Sequence, residues 1–139
     1  MAHQGTSITN ILILDSNEQD IVQTQWILKE VFDSVLIRVF LHGGTLLSFL
    51  QSTSMSQSNI PDLIILEIDF PDDEGIRTLQ AIRALPAAAS IPVLLHTRTW
   101  NFNLIEQGFK AGARAIVPKF SPVQLKSQIN RILSELQAA

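Results

Sequence analysis

The 139-residue chain contains no cysteine, which excludes a disulfide framework and thiolate catalysis and suits a reducing compartment. Charged side chains are sparse, at 17% against roughly 25% in an average soluble protein. With 46% hydrophobic residues, that composition excludes intrinsic disorder, which needs low hydrophobicity and high charge. No apolar run approaches the ~18 residues of a membrane span, so no membrane association is expected. The start, Met1-Ala2-His3-Gln4-Gly5, lacks the basic-then-apolar layout of a secretory signal. There is no Gly-x-Ser-x-Gly elbow, and Gly43-Gly44 lacks the spacing of a phosphate-cradling loop, which removes support for a Ser-His-Asp hydrolase and weakens a nucleotide site. No internal repeat divides the chain. The expectation is one cytoplasmic domain over residues 9–136, with a flexible N-terminus (1–8) and a short tail (137–139).

What charge there is lies unevenly. Residues 1–97 carry four basic and eleven acidic side chains, whereas residues 98–139 carry six basic and two acidic ones. The basic excess reads as a solvated helix face, or as a surface that steers an acidic partner. Without an aromatic-interleaved or glycine-rich basic run it is a weak nucleic-acid footprint, and no direct nucleic-acid binding is expected.

Short apolar runs alternate with amphipathic stretches. Ile11–Leu14, Leu36–Phe40, Leu63–Ile68, Ile91–His96 and Ala115–Val117 read as strands, and the unbroken apolarity of Leu63–Leu66 fits a strand buried on both faces. Between them the pattern predicts helices over Glu18–Phe32 (capped by Asn17), through Leu46, Leu47 and Leu50, over Ile76–Leu85, over Asn103–Ala111 (ended by Gly112) and from Ser121-Pro122 to Leu136. Serines 52, 54, 56 and 58 read as a polar loop. Five strands alternating with five helices imply right-handed βαβ units, hence an α/β fold with a doubly wound parallel sheet covered on both faces.

In such sheets functional groups gather beyond the C-terminal strand ends. With strand order 2-1-3-4-5, this rule collects Asp15 and Ser16, Glu67 and Asp69, Thr97 and Arg98, and Lys119. Carboxylates facing a hydroxyl and an ammonium suit oxyanion handling, and equally suit a structural ion-pair network.

On Ile11-Leu12-Ile13-Leu14-Asp15, Pro61-Asp62-Leu63-Ile64-Ile65-Leu66-Glu67, Pro71 with Gly75, Ile91-Pro92-Val93, and Ala111-Gly112-Ala113 leading to Lys119, the chain resembles the receiver domain of two-component response regulators over about residues 9–136. The resemblance implies a flavodoxin-like, three-layer fold of five βα units and a role in phosphorelay signal transduction. It also implies a site in which two acids after the first strand and an aspartate ending the third bind Mg²⁺. That aspartate takes a phosphoryl group, whose oxygens meet a Thr or Ser after strand four and a Lys after strand five. Asp15, Thr97 and Lys119 match. Ser16 stands where the second acid belongs, and Glu67 stands at the phosphoacceptor position. Arg98 fills a usually small position, Ile116 sits at the switch position where an aromatic is frequent, and Phe120 replaces a proline.

These departures bear on the chemistry. Mg²⁺ depends on protein carboxylates, so Ser16 makes its binding doubtful and no cofactor is expected. Glu67 is one methylene longer than aspartate, and a ~1 Å misplacement can cost ~10²-fold in rate. The expectation is a degenerate receiver without enzymatic activity, acting through protein contacts. Asp15, Glu67, Thr97 and Lys119 are expected in one buried cluster, with Glu67 reaching toward Thr97 and Lys119, and Arg98 closing over it onto Glu67 or Asp69. The alternatives are a receiver that still accepts phosphate with Mg²⁺ on Glu67 or another acid, and a flavin- or nucleotide-binding domain of the same fold.

The acidic run Asp69, Asp72, Asp73 and Glu74 lacks calcium-loop spacing and reads as stabilising the start of the third helix. His96 reads as a packed or hydrogen-bonded residue. Trp26, Trp100 and Phe102 are either partly buried or partner-facing. The resemblance places a partner or homodimer surface on the fourth helix, fifth strand and fifth helix, with Trp100, Phe102, Lys110, Arg114 and Lys126 on it. The partner it implies is a sensor kinase or a downstream signalling protein.

Overall fold

The computed structural model describes residues 9–52 and 60–138. The flexible segment expected over residues 1–8, and the loop serines 54, 56 and 58, lie outside the described residues. Among the described residues strands and α-helices alternate, with a 3-10 turn (Pro71–Asp73) leading into the third helix: β1 (Thr9–Leu14), α1 (Glu18–Val31), β2 (Val35–Phe40), α2 (Gly43–Gln51), β3 (Leu63–Glu67), α3 (Glu74–Ala84), β4 (Val93–Thr97), α4 (Phe102–Lys110), β5 (Ala115–Pro118) and α5 (Pro122–Ala138). All strands are parallel, in the order β2-β1-β3-β4-β5, as the sequence pattern predicts. The last helix runs to Ala138, two residues into the stretch expected to be a tail.

Alternation along the strands sorts the core into two halves. Leu12, Leu14, Ile64, Leu66, Val93, Leu95 and Ile116 point to the face covered by α2 and α3, against Leu46, Leu50, Leu79 and Ile82, with Leu104 and Ile105 of α4 packed on the same cluster. Ile11, Ile13, Ile65, Leu94 and Val117 point to the other face, against Ile27 and Leu28 of α1 and Leu125, Ile129 and Ile132 of α5. Each fully buried Leu or Ile contributes about 1.5–3 kcal/mol, which lets the sheet carry buried charge at its C-terminal edge.

Local signals set the helix ends. The Asn17 side chain accepts from Asp20 N–H at 2.9 Å, and that of Asn101 from Leu104 N–H at 3.1 Å. Gly112, at φ +108°, follows α4 where an L side chain is strained, and a Cβ there would meet the Arg83 guanidinium at 2.8 Å. Arg83 donates to the carbonyls of Gly112 (2.8 Å) and Ile91 (2.7 Å), tying α3 to the two loops.

Glu74 lies in the first turn of α3, where a carboxylate is expected, and it also reaches a neighbour: its carboxylate accepts from Gly43 N–H at 2.9 Å, at the start of α2. A carboxylate is favoured at either helix N-terminus, and here packing of α2 on α3 brings the neighbour's within reach. Asp72 and Asp73 both adopt φ 58°, a conformation aspartate tolerates better than most residues.

Gly75 sits where α3 passes under the site: a Cβ would lie 2.8 Å from both the Glu67 carbonyl oxygen and Ile68 Cα. Helix propensity alone favours alanine here by about 1 kcal/mol. Overpacking against backbone costs about 1–3 kcal/mol, so Gly75→Ala is expected to lower the urea midpoint. A raised midpoint would show that the contact relaxes freely.

Candidate functional site

Strand register places the expected residues side by side. Leu14 is opposite Leu66, so Asp15 and Glu67 come level at adjacent strand ends. Glu67 is opposite His96 and Thr97 opposite Pro118, and Lys119 N–H donates to the Thr97 carbonyl at 2.7 Å. The four residues expected to converge do lie at one edge.

Their pairing centres on Lys119. Its ammonium lies 2.9 Å from Asp15 Oδ2 and 2.8 Å from Asp20 Oδ2, and is in direct contact with Glu67 Oε1. The lysine side chain is only 5% exposed, Asp15 3% and Glu67 8%. Burial raises the Glu67 pKa to about 7, helped by its hydrogen bond to Asp15 and opposed by Lys119. Burial draws the Lys119 ammonium down, but its bonds to Asp20, Glu67 and Asp15 outweigh that and hold it above its ordinary range. Asp15 is fixed by Asn17 N–H, which donates to its Oδ1 at 2.9 Å.

Asp20, in the first turn of α1, is the site residue that the strand-end rule does not collect. It stands on the stripe Asp20, Thr24, Ile27 of α1, of which Thr24 and Ile27 are buried. That spacing of three and four residues was the available signal. Ser16, by contrast, is exposed on the loop. The carboxylate missing at Ser16 is supplied one helical turn later.

Two expectations are corrected. The Arg98 side chain pairs with Asp20, not with Glu67 or Asp69. Glu67 does pair with Lys119, but the Thr97 hydroxyl meets Asp69, at 3.0 and 3.1 Å, and the Thr99 backbone, whose carbonyl lies at 2.7 Å and whose N–H donates to it at 3.0 Å. Asp69 is therefore turned toward β4 and away from the acidic group around Lys119. Both corrections have one cause: the β4–α4 loop folds back between α1 and the β3–α3 loop, so each of its polar groups meets the nearer carboxylate.

Asp15, Asp20 and Glu67 each place a carboxylate oxygen within 4.8 Å of the others, a hard-oxygen set of the kind divalent cations take. The structure gives its centre to the Lys119 ammonium. A divalent ion about 3 Å from that charge would meet a repulsion of about 11 kcal/mol at an effective dielectric of 20. As arranged, the residues do not fit a divalent cation.

Of the remaining candidates, His96 is packed as expected, 6% exposed, and its Nδ1 has no hydrogen-bond partner. Burial, then the nearby Lys119, lower its pKa to about 4, so it is neutral at pH 7. Ile116 is buried in the core beside α4. Trp26 (70%), Trp100 (55%) and Phe102 (79%) are exposed, as are Phe109 and Phe120. Lys110 is exposed, whereas Arg114 pairs with Glu135 at 3.3 Å and Lys126 with Glu30 at 2.6 Å. The last two are engaged within the chain.

Comparison with known proteins agrees with this geometry. A family model described as the response regulator receiver domain matches residues 11–130. No curated protein matches the sequence. Among solved structures, a CheY-like receiver domain protein from Methanospirillum hungatei superposes with a TM-score of 0.78 at 22% identity, covering 95% of this chain and 98% of that one. The signal receiver domain of a histidine kinase from Syntrophus aciditrophicus gives 0.76 at 24% identity, over 94% of each chain. The phosphorylated cyanobacterial phytochrome response regulator RcpA gives 0.75 at 22% identity, over 91% of each.

Proposed function

Because the chain belongs to the response regulator receiver domain family, we propose that it signals as a receiver from which phosphoryl transfer at the acceptor position has been lost, and whose output is protein contact alone. The observation that carries this reading is the Lys119 ammonium enclosed by Asp15, Asp20 and Glu67. The lysine that would neutralise a phosphoryl oxygen is already neutralised, and Ser16 offers no carboxylate. The acceptor position holds a glutamate whose pKa near 7 leaves it partly protonated and a poor nucleophile at neutral pH.

On this reading the protein is not an enzyme and works in the cytoplasm; no described helix is long and apolar enough to cross a membrane. Its partners are proteins of the signalling chain, a sensor kinase or a downstream component. Homodimerisation, where it occurs, uses the face of α4, β5 and α5, on which Phe102 and Phe109 are exposed. Trp and Phe side chains of this kind supply much of the energy of protein interfaces.

The test is intact mass after incubation with acetyl phosphate and Mg²⁺, beside a Glu67→Asp, Ser16→Asp double variant. The natural chain is expected to gain phosphoryl mass at least ~10²-fold more slowly than the variant, the cost of a ~1 Å misplacement of the attacking oxygen. Comparable rates would overturn the reading.

A further inference from the structure

The contacts of Asp69 are not explained by the cluster around Lys119. The Thr97 hydroxyl lies 3.0 and 3.1 Å from the two oxygens of its carboxylate and 2.7 Å from the Thr99 carbonyl, which compete for its one proton, and the Arg98 backbone N–H donates to Oδ2 at 2.5 Å. We propose that Asp69 is the resident ligand of an oxyanion site made by the Thr97 hydroxyl and the Arg98 N–H, so that the chain's own carboxylate holds the β4–α4 loop. The proposal rests on the reading that no phosphoryl group is delivered at Glu67, and names what holds the loop instead.

The backbone explains why Asp69 reaches this place. Ile68 N–H donates to the His96 carbonyl at 3.1 Å, carrying the β3–β4 pairing one residue past the end of β3 and setting Asp69 alongside Thr97. On the other side Lys119 N–H holds the Thr97 carbonyl. Thr97 is thus pinned from both neighbours, with its hydroxyl set between Asp69 and the Thr99 carbonyl. Bonds from an N–H or O–H to an ionised carboxylate are roughly twice as strong as neutral ones. A tethered ligand also acts at an effective concentration of millimolar or more, enough to exclude free oxyanions below that level.

The hold extends to the exposed surface. Thr99 N–H donates to Thr97 Oγ1 at 3.0 Å, Trp100 follows, and Asn101 caps α4 through Leu104 N–H. The Arg98 side chain is tied separately to Asp20. One short loop is therefore fastened by its backbone to Asp69 and by its arginine to α1, and it carries the exposed Trp100 between that anchor and the helix.

The experiment is an NMR titration of the Arg98 amide with inorganic phosphate, without Mg²⁺, in the full chain and in Asp69→Ala. Trp100 fluorescence in a Trp26→Phe background reports the loop. In the natural chain the Arg98 amide is expected to stay unmoved to ~1 mM phosphate. In Asp69→Ala it is expected to shift saturably, with affinity at least about tenfold higher, and Trp100 emission should return toward the Trp26→Phe parent's value. Formate should do the same, since the donor pair reads an oxyanion and not phosphorus. Asp69→Asn keeps the side-chain volume and is read by the same criteria where Asp69→Ala does not fold. Equal phosphate response in the natural chain and the variants, or no saturable response in any variant, would overturn the proposal. Covalent phosphoryl gain on the natural chain would overturn the preceding reading while leaving this titration interpretable, because it involves no transfer.

Discussion

Lys119→Met is expected to lower folding stability at pH 7 by about 3–5 kcal/mol, the range for breaking a buried ion pair by removing one partner. Among the described residues the ammonium is the one cation bonded to Asp15, Asp20 and Glu67 together, and Asp15 and Glu67 are almost fully enclosed with it. Removing it strands two or three carboxylates in a low-dielectric edge, where each must stay charged at a desolvation cost or take up a proton. The deficit should therefore shrink on acidification, as those carboxylates protonate. The check is urea unfolding of both proteins at pH 5 and pH 7, with an unchanged m-value confirming that the native state has not expanded. A loss below about 1 kcal/mol at pH 7 would place the cluster in solvent-screened surroundings, where ion pairs contribute little.

Glu67→Gln is expected to stabilise the protein above neutral pH and to change the shape of its stability profile. Glu67 titrates near 4.5 when unexposed to the fold's environment and near 7 in the folded protein. Between those values the folded state holds a proton that the unfolded state lacks, so stability falls as pH rises from about 4.5 to 7. His96 works in the opposite direction. Its pKa drops from 6.5 to about 4 on folding, so the unfolded state binds the extra proton between about 4 and 6.5 and stability rises with pH across that window. The two slopes oppose each other from about pH 4.5 to 6.5, leaving a nearly flat profile, with a small decline from about 6.5 to 7 that Glu67 alone produces. Glu67→Gln keeps the volume and a carbonyl for Lys119 but removes the falling component. Its stability should rise from pH 4 to 6.5 and exceed that of the natural chain at pH 8 by up to about 3 kcal/mol, at 1.36 kcal/mol per pKa unit. A variant less stable than the natural chain at pH 8 would mean that the ionised Glu67–Lys119 pair is net favourable. Adding His96→Phe should then flatten the remaining rise.

The architecture was legible because its signals are local. Unbroken apolar runs such as Leu63–Leu66 specify strands buried on both faces, Asn17 specifies a helix start through its own side chain, and Gly112 marks a left-handed backbone. Their alternation leaves few topologies besides a doubly wound parallel sheet. Position at strand ends also brought Asp15, Glu67, Thr97 and Lys119 together before any side chain was placed.

Partner choice among those groups was not legible, because it depends on distances of an ångström between side chains from different loops. Asp20 enters the site from the first turn of α1, where its spacing with Thr24 and Ile27 gives the helix face it shares but not the partner it meets. Asp69 takes Thr97 and leaves Lys119 to Glu67 because the β3–β4 pairing runs on through Ile68. Arg98 turns to Asp20 because the β4–α4 loop folds toward α1. Strand polarity and order, both written in the local pattern, bring these chemical groups to one edge of the sheet. Which carboxylate satisfies which donor follows from the packed fold alone, since a lysine among three acids can be matched only once their separations are known.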